Sequence, residues 1–426
     1  MRLLLVGGGG REHALAWRIA RSPEVTAFFA APGSPGIASH ATCVPVPVDA
    51  FDDIVRLVER ERIDLTVVGP EVPLVAGLSD RLASGGHAVF GQSAAAARIE
   101  GSKAFSKDLM ARYGIPTARF ATFADAAAAR RFSRDLGPCV VKTDGLAAGK
   151  GAIVCPTFAE ADAAIARCME QGAFGASGRT VVVEEFLHGD EVSFFVIVSG
   201  TGILPLTAAE DHKTIFDGDR GPMTGGMGAF APVSGFDAAM EARVMDEIVH
   251  PVARALAAEG APYHGALFVQ LMLTAEGPKV VEFNCRFGDP ECQVLMVRLA
   301  DDLVPVMAAV ARREKLPRAL AWSSDAAVCV NMVSGGYPGK YPTGLPITIP
   351  NDLEREDLHV FHAGTAMKDG RLVTAGGRVL SVTATAPTVP DAIARAYAAV
   401  ERIRFDGVHF RRDIGTRHGL AALKGT

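Results

Sequence analysis

Residues 281–293 read VEFNCRFGDPECQ, and the reading of this stretch decides what the rest of the chain must build. Side chains alternate faces along a β-strand, so Glu282, Asn284 and Arg286, spaced by two, are expected to point toward one site. A carboxylate beside an amide oxygen suits a hard cation such as Mg²⁺, which takes oxygen ligands and completes its shell with water and substrate phosphates. An arginine on the same face can neutralise a phosphate or acyl phosphate. A solvated surface strand would carry the same residue types. Two features argue against it: the apolar flank of Val280, Val281, Phe283 and Phe287, and the turn Gly288-Asp289-Pro290-Glu291, which adds two acids.

Outward from that strand, composition sets broad limits. A chain of 426 residues with 49% hydrophobic content can build about three domains with substantial cores. A net charge of −5 gives no global attraction to nucleic acid or an anionic membrane, so any phosphate binding has to be local. The apolar run at residues 3–6 is too short for a signal-peptide core, and no segment approaches the ~20 apolar residues that span a bilayer. A cytoplasmic protein is expected, acting on small molecules, with no nucleic acid, membrane or obligate protein partner. The seven cysteines (43, 139, 155, 168, 285, 292 and 329) form no C-x-x-C pair and read as reduced core residues.

The first hundred residues alternate apolar strands (2–6, 25–30, 64–68, 88–90) with helical patterns, one of them Phe51, Ile54, Val55 and Val58 at helical spacing. This predicts an open parallel α/β sheet. A helix is predicted over 93–113. A small α+β lid follows, with strands at 138–142, 152–155 and 180–186 and a helix to about 171. Next come a hairpin joining 191–198 to 203–207 through Ser199-Gly200-Thr201-Gly202, a helix at about 238–258, and strands at 265–273 and 279–287. The block from 325 onward is expected to carry its own strands (327–333, 378–384) and a helix at about 390–403.

Gly7, Gly8, Gly9 and Gly10 after the first strand invite a dinucleotide reading. The pattern fails at Glu12, where a glycine is required, and the second strand ends without the acid that holds a ribose diol. A substrate phosphate at this loop, helped by Arg11 and His13, is the remaining expectation. A better nucleotide candidate lies at Lys142 and the loop 144–151, DGLAAGKG, where glycines can turn backbone N–H groups toward phosphates and Lys150 adds charge. It lacks the G-K-[ST] ending of a Walker A motif. The apolar strand ending in Glu184-Glu185-Phe186-Leu187 and returning through Gly189-Asp190-Glu191 has the form of an adenine slot with an acid for the ribose.

In this order, GGGGREHALAW, VVGPEVPL, GSKAFSK, KTDGLAAGKG, EEFLHGDEVSF, EDHK, GPMTGGMGAF, EFNCRFGDPECQ, FHAGT and GGRVL resemble the signatures of the ATP-grasp fold and, within it, the phosphoribosylamine–glycine ligase family of purine synthesis. The resemblance spans essentially the whole chain. It implies ATP as co-substrate, Mg²⁺ or Mn²⁺ as the metal, and glycine and 5-phosphoribosylamine as substrates. Glycine's carboxylate would take the γ-phosphate to give glycyl phosphate, and the amine would then displace phosphate. By the same resemblance, Lys103 and Lys142 would contact ATP phosphates under a loop bearing Gly145, Gly149, Lys150 and Gly151. Glu184, Glu185, Phe186 and Leu187 would hold adenine and Glu191 the ribose, while Glu282 and Asn284 would ligate the metal. Arg286, Lys213 and Asp211 would serve the transfer itself. His212, Thr224, Gly225, Gly226, Gly288 and Asp289 would shape the acceptor pocket, and Gly9, Gly10 and Arg11 would help hold phosphoribosylamine.

The chain departs from the family pattern at Met223 and Gly8, each where Asn is usual, at Thr143 where Ala is common, and at Gln270, where related enzymes often carry a further metal-binding acid. The expected domains are 1–100, an N-terminal substrate-binding α/β unit; 101–324, an ATP-grasp α+β unit with a mobile lid at about 120–188; and 325–426, a C-terminal mixed α+β unit. Another ATP-grasp ligase or carboxylase is disfavoured by REHA and DHK and by the lack of a biotin-carrier segment. A non-catalytic nucleotide binder is disfavoured by the presence of Lys142, Glu282 and Asn284.

Overall fold

The computed structural model describes residues 1–147 and 151–416. Five parallel strands, β1 (Arg2–Gly7), β2 (Ala27–Pro32), β3 (Thr42–Cys43), β4 (Leu65–Val68) and β5 (Val89–Phe90), form a sheet in the order β3-β2-β1-β4-β5. Strand β1 is a nearly continuous apolar run because helices and neighbouring sheet cover both of its faces. The helix Phe51–Glu61 buries Ile54, Leu57 and Val58, so its buried stripe is centred one step further along than the sequence spacing alone indicates.

The predicted helix over 93–113 is two helices, Ala94–Gly101 and Lys103–Tyr113, broken at Ser102. Ser102 takes an extended conformation and its Oγ accepts the Phe105 N–H at 3.1 Å, a capping bond that starts a new helix with Lys103 at its first position. The lid strands β6 (Phe120–Phe123), β7 (Cys139–Thr143), β8 (Ala152–Cys155) and β9 (Val181–Glu185) pair in the order β6-β9-β7-β8. They have a core of their own, including Val141, Ile165, Val181 and Val183.

The hairpin at 199–202 forms between β10 (Asp190–Ser199) and β11 (Gly202–Asp211). A two-stranded flap, β12 (Thr214–Phe216) and β13 (Arg220–Met223), precedes β14 (Gly228–Ala231). The remaining strands are β15 (His264–Thr274), β16 (Gly277–Asn284), β17 (Ala326–Val333), β18 (Leu358–His362), β19 (Thr365–Lys368), β20 (Arg371–Thr374) and β21 (Arg378–Ala386).

Of the C-terminal strands, β19 and β20 pair with each other as a two-stranded sheet, while the expected strands β17 and β21, with β18, join a larger one. One eight-stranded sheet runs β16-β15-β10-β11-β14-β17-β21-β18, and β14 hydrogen-bonds directly to β17 with Gly228 opposite Val330. Apolar residues of the first sheet, Leu4 and Val6 among them, pack in one core with Phe194 and Val269 of this large sheet. All seven cysteines are free thiols, and no helix among the described residues is long and apolar enough to cross a membrane.

Candidate active site

The site is built where β15 and β16 meet the lid and the end of β11. Gln270 pairs across the ladder with Glu282 and Phe268 with Asn284, and Val281 is the extra residue of a bulge. The strand stops at Asn284, so alternation accounts for Glu282 and Asn284 but not for Arg286. Charge puts Arg286 beside them: its Nη2 donates to Asn284 Oδ1 and to Glu100 Oε1, both at 3.0 Å, and its Nε lies 3.4 Å from Glu71.

Burial alone would raise the Glu282 carboxyl, but Lys103, Lys142, Lys213 and Arg286 together bring it down to about 2. No hydrogen bond to this carboxylate is present among the described residues. A charged, unbonded carboxylate next to an amide oxygen fits a divalent cation whose other ligands come from a polyphosphate. Three lysines around Glu282 oppose a bare cation and favour a phosphate-bound one. The buried Nδ2 of Asn284 has no partner and can donate to such a phosphate.

Lys142, next to last in β7, donates to the Val281 carbonyl at 3.0 Å. Its Nζ is also 2.5 Å from Glu184 Oε1, while Lys107 Nζ is 2.5 Å from Glu184 Oε2. Glu184, expected in an adenine slot, here points into the protein as the counter-ion of two lysines. Glu185 accepts the Arg119 N–H at 3.0 Å, and Phe186 is partly exposed with His188 edge-on at 5.0 Å. Leu187, two residues past the end of β9, is partly exposed beside Phe186. In the loop, a Cβ on Gly145 would meet Ser177 Oγ at 2.5 Å, and one on Gly151 would meet Thr143 Oγ1 at 2.5 Å. Gly149 and Lys150 lie outside the described residues.

Glu191, expected at a ribose, instead bonds Lys213 and Gln270. Burial raises the Asp211 carboxyl to about 8; Lys213, 3.5 Å away, pulls it down, while Glu291 and Glu191 push it up. Lys213 is held well above its ordinary value because Asp211 and Glu191 outweigh its burial. The lysine keeps its charge against Glu191, and Asp211 is the carboxyl that gives up its charge near neutrality.

Asp211 thus has a folded pKa above its unfolded value of 3.8. The folded chain binds the extra proton, and stability rises as pH falls from about 8 toward 4. Asp211→Asn removes a cost that is largest above about pH 8. The variant is expected to melt above the wild type at about pH 7.5, with the gain vanishing at about pH 4, while turnover falls. Paired thermal melts at the two pH values test this; equal melting temperatures at the higher pH would count against it.

In the loop expected to shape the acceptor pocket, Thr224 Oγ1 donates to the Lys213 carbonyl at 2.7 Å and accepts the Gly226 N–H at 3.0 Å. Arg378, which sequence reasoning left inside a motif without a role, clamps this loop to the turn at 288–289. Its Nη1 donates to the carbonyls of Gly225 and Asp289, and its Nη2 to Asp289 Oδ2 at 2.9 Å. Gly226 leaves no room for a side chain, since a Cβ would sit 2.6 Å from Pro290 Cδ, and a Cβ on Gly288 would meet Glu291 Oε2 at 2.3 Å. The loop at 7–10 does come here: a Cβ on Gly10 would lie 3.4 Å from Asp289 Oδ1.

Three residues expected to touch substrate are otherwise engaged. The Gly9 N–H is bonded to Glu12 Oε2 at 2.8 Å, so the helix terminus is capped by the chain's own acid. Arg11 is buried against Glu12 at 2.6 Å and donates to the Phe287 carbonyl at 3.1 Å. His212 is buried with its ring 6.0 Å from Phe230. His13, the possible helper, instead accepts the His362 N–H at Nδ1, 2.7 Å away. Glu71, Glu100 and Lys107 were missed as well. Lys107 and Glu71 carried a signal, Lys107 standing four residues after Lys103 in GSKAFSK and Glu71 inside VVGPEVPL; Glu100 carried none.

Residues 1–100, 101–292 and 327–417 match families described as phosphoribosylglycinamide synthetase N domain, ATP-grasp (A) domain and C domain. The chain is 51% identical over 418 residues to the phosphoribosylamine–glycine ligase of Rhizobium meliloti, covering 98% of each chain. It is 46% identical over 421 residues to that of Pseudomonas aeruginosa, again covering 98% of each. A crystal structure of the Thermotoga maritima phosphoribosylamine–glycine ligase superposes with a TM-score of 0.86 at 31% identity, covering 97% of this chain and all of that one. The biotin carboxylase domain of a Hydrogenobacter thermophilus 2-oxoglutarate carboxylase, solved with MgADP and bicarbonate, shares the fold with a TM-score of 0.73 at 17% identity, covering 96% and 91%.

Proposed function

The chain belongs to the phosphoribosylglycinamide synthetase family, and from that premise we propose how its residues divide the work. It is an ATP-dependent phosphoribosylamine–glycine ligase: glycine is joined to 5-phosphoribosylamine, giving glycinamide ribonucleotide, ADP and phosphate in purine synthesis. It uses ATP with a divalent metal. The reading further takes that metal as Mg²⁺ or Mn²⁺, the location as cytoplasmic, and the lid at about 120–188 as the moving part of a 101–324 unit flanked by 1–100 and 325–426. Its support is that the lid alone has a separate core.

The observation that carries the residue assignments is the Glu282 carboxylate, charged among four cationic side chains and without a hydrogen bond among the described residues. A carboxylate so placed can hold a metal without first breaking a bond. Glu282 and Asn284 hold the divalent ion, which supplies charge neutralisation at the phosphates when bound. Lys103 and Lys142 meet the polyphosphate, and the loop bearing Gly145 and Gly151 covers it. Arg286, fixed by Glu100 and Glu71, adds a positive charge behind Asn284 where the acyl phosphate gathers negative charge. Lys213 and Asp211 face the forming amide bond. Asp289 and the loop Thr224, Gly225 and Gly226, held by Arg378, receive the amine.

In the proposed sequence a glycine carboxylate oxygen attacks the γ-phosphorus and the bond to the ADP oxygen breaks, giving glycyl phosphate. The amine nitrogen of phosphoribosylamine then attacks the carbonyl carbon, the amide bond forms, and inorganic phosphate leaves as the amine gives up a proton. Release of ADP is expected to require ATP, metal and glycine together. Added hydroxylamine is expected to yield glycine hydroxamate without phosphoribosylamine. ADP formed equally well without glycine would overturn the assignment, and an absence of hydroxamate would remove the acyl phosphate.

A further inference from the structure

Lys107 has no part in the mechanism above, yet it is among the most deeply buried charges in the molecule, with 3% of its surface exposed. It lies one helical turn after Lys103 on the helix Lys103–Tyr113. Its Nζ meets one oxygen of Glu184, itself 4% exposed, at 2.5 Å, and Lys142 meets the other at the same distance. Lys107 also donates to Thr117 Oγ1 at 2.7 Å, and that hydroxyl donates to the Val280 carbonyl at 2.7 Å. Lys142 donates to the carbonyl of the next residue, Val281. Both lysines are thus tied to the two residues directly before Glu282.

The charges in this triad do not cancel. Two ammonium groups share one carboxylate, so the triad by itself keeps one positive charge, and the further anion it faces is Glu282, the carboxylate assigned to the metal. Burying such an excess is unfavourable by itself. Burial and the nearby Lys142 both weaken the hold of Lys107 on its proton, with Glu184 opposing them. A fold selected only for stability would be better served by a single pair, since an apolar residue in place of Lys107 would leave Glu184 and Lys142 matched.

We infer that Lys107 is a positioning residue for the nucleotide: by occupying one oxygen of Glu184 it keeps Lys142 from being neutralised, so that the triad presents a net positive charge to the polyphosphate. The inference rests on the reading that Lys142 meets ATP phosphates. Without Lys107, Glu184 and Lys142 form a closed pair and the phosphates lose that charge. With Lys107, the incoming phosphate supplies the counter-charge that the cluster lacks.

The test is a charge-restoring cycle read by calorimetric titration with MgADP and by KM for MgATP. K107M is expected to weaken MgADP and raise the KM for MgATP about tenfold, leaving the KM for glycine unchanged. K107M/E184Q restores the net charge through Lys142 alone and is expected to recover most of the loss. K107R is expected to behave as the wild type, and K107Q, should K107M be too unstable to assay, as K107M does. A double variant no tighter than K107M, with both folded by thermal melting, overturns the inference and leaves Lys107 a structural ion-pair partner. Unchanged MgADP affinity in K142M overturns the underlying reading of Lys142 instead.

Discussion

Glu282→Gln is expected to lower kcat by about a hundredfold or more while the protein stays folded. Glutamine keeps the shape and removes only the charge, so what is lost is the anionic ligand. Lys103, Lys142, Lys213 and Arg286 then surround a neutral side chain. That change should leave metal-free ADP binding unchanged or tighter, since phosphate charge now meets less competition, while the metal concentration needed for turnover rises. The acid limb of stability should change too. With its folded pKa lowered from 4.5 to about 2, Glu282 contributes stability that is full above the unfolded value and is lost as pH falls through about 2. The variant should therefore lose less stability than the wild type on acidification below about pH 4.5. Near-normal kcat at saturating metal would remove the metal role from Glu282.

Arg411→Met is expected to lower stability by about 3 kcal/mol, seen as a fall in melting temperature and in urea midpoint. Arg411 is a fully buried side chain with 0% exposure. Its guanidinium donates to Asp413 at 2.7 and 2.6 Å, to Asp219 at 3.1 Å, and to Thr214 Oγ1 at 2.9 Å and carbonyl at 3.2 Å. Methionine fills much of the volume but leaves two carboxylates facing each other without their cation. The bonds to Asp219 and Thr214 join the chain's last described segment to the flap β12–β13, which runs from just after Lys213 to just before Thr224. Gly218 N–H to Asp413 and Arg412 N–H to Asp217, both 2.8 Å, reinforce the join. A loosened flap should raise the KM for glycine or phosphoribosylamine more than that for MgATP. An unchanged melting temperature, or equal rises in all three KM values, would show that this clamp does not support the acceptor side.

Several parts of the site were legible because local geometry carries them. Glu282 and Asn284 share a face by strand alternation, Lys142 is next to last in an apolar strand, and Gly145 and Gly151 stand where side chains cannot. Arg286 was legible by type but not by cause: it lies past the strand end, and acids nearly two hundred residues away aim it. The ion pairs of Glu184 were not legible, because a glutamate at a strand end gives no sign of which way it will turn. Two lysines on separate elements turn it inward.

The sequence by itself determined most of the elements of the first sheet and the lid, their order, the family and the reaction, because apolar periodicity, glycine placement and ordered motifs are local properties of the chain. Only the tertiary structure decided that the C-terminal strands extend the ATP-grasp sheet through β14 and β17. It also decided that Arg378 reaches the carbonyls of Gly225 and Asp289, that Arg411 reaches the flap β12–β13, and that Arg11 pairs with Glu12. The physical reason is that a buried charge takes whatever opposite charge the fold brings within about 4 Å. That pairing depends on distances between segments that no spacing along the chain records.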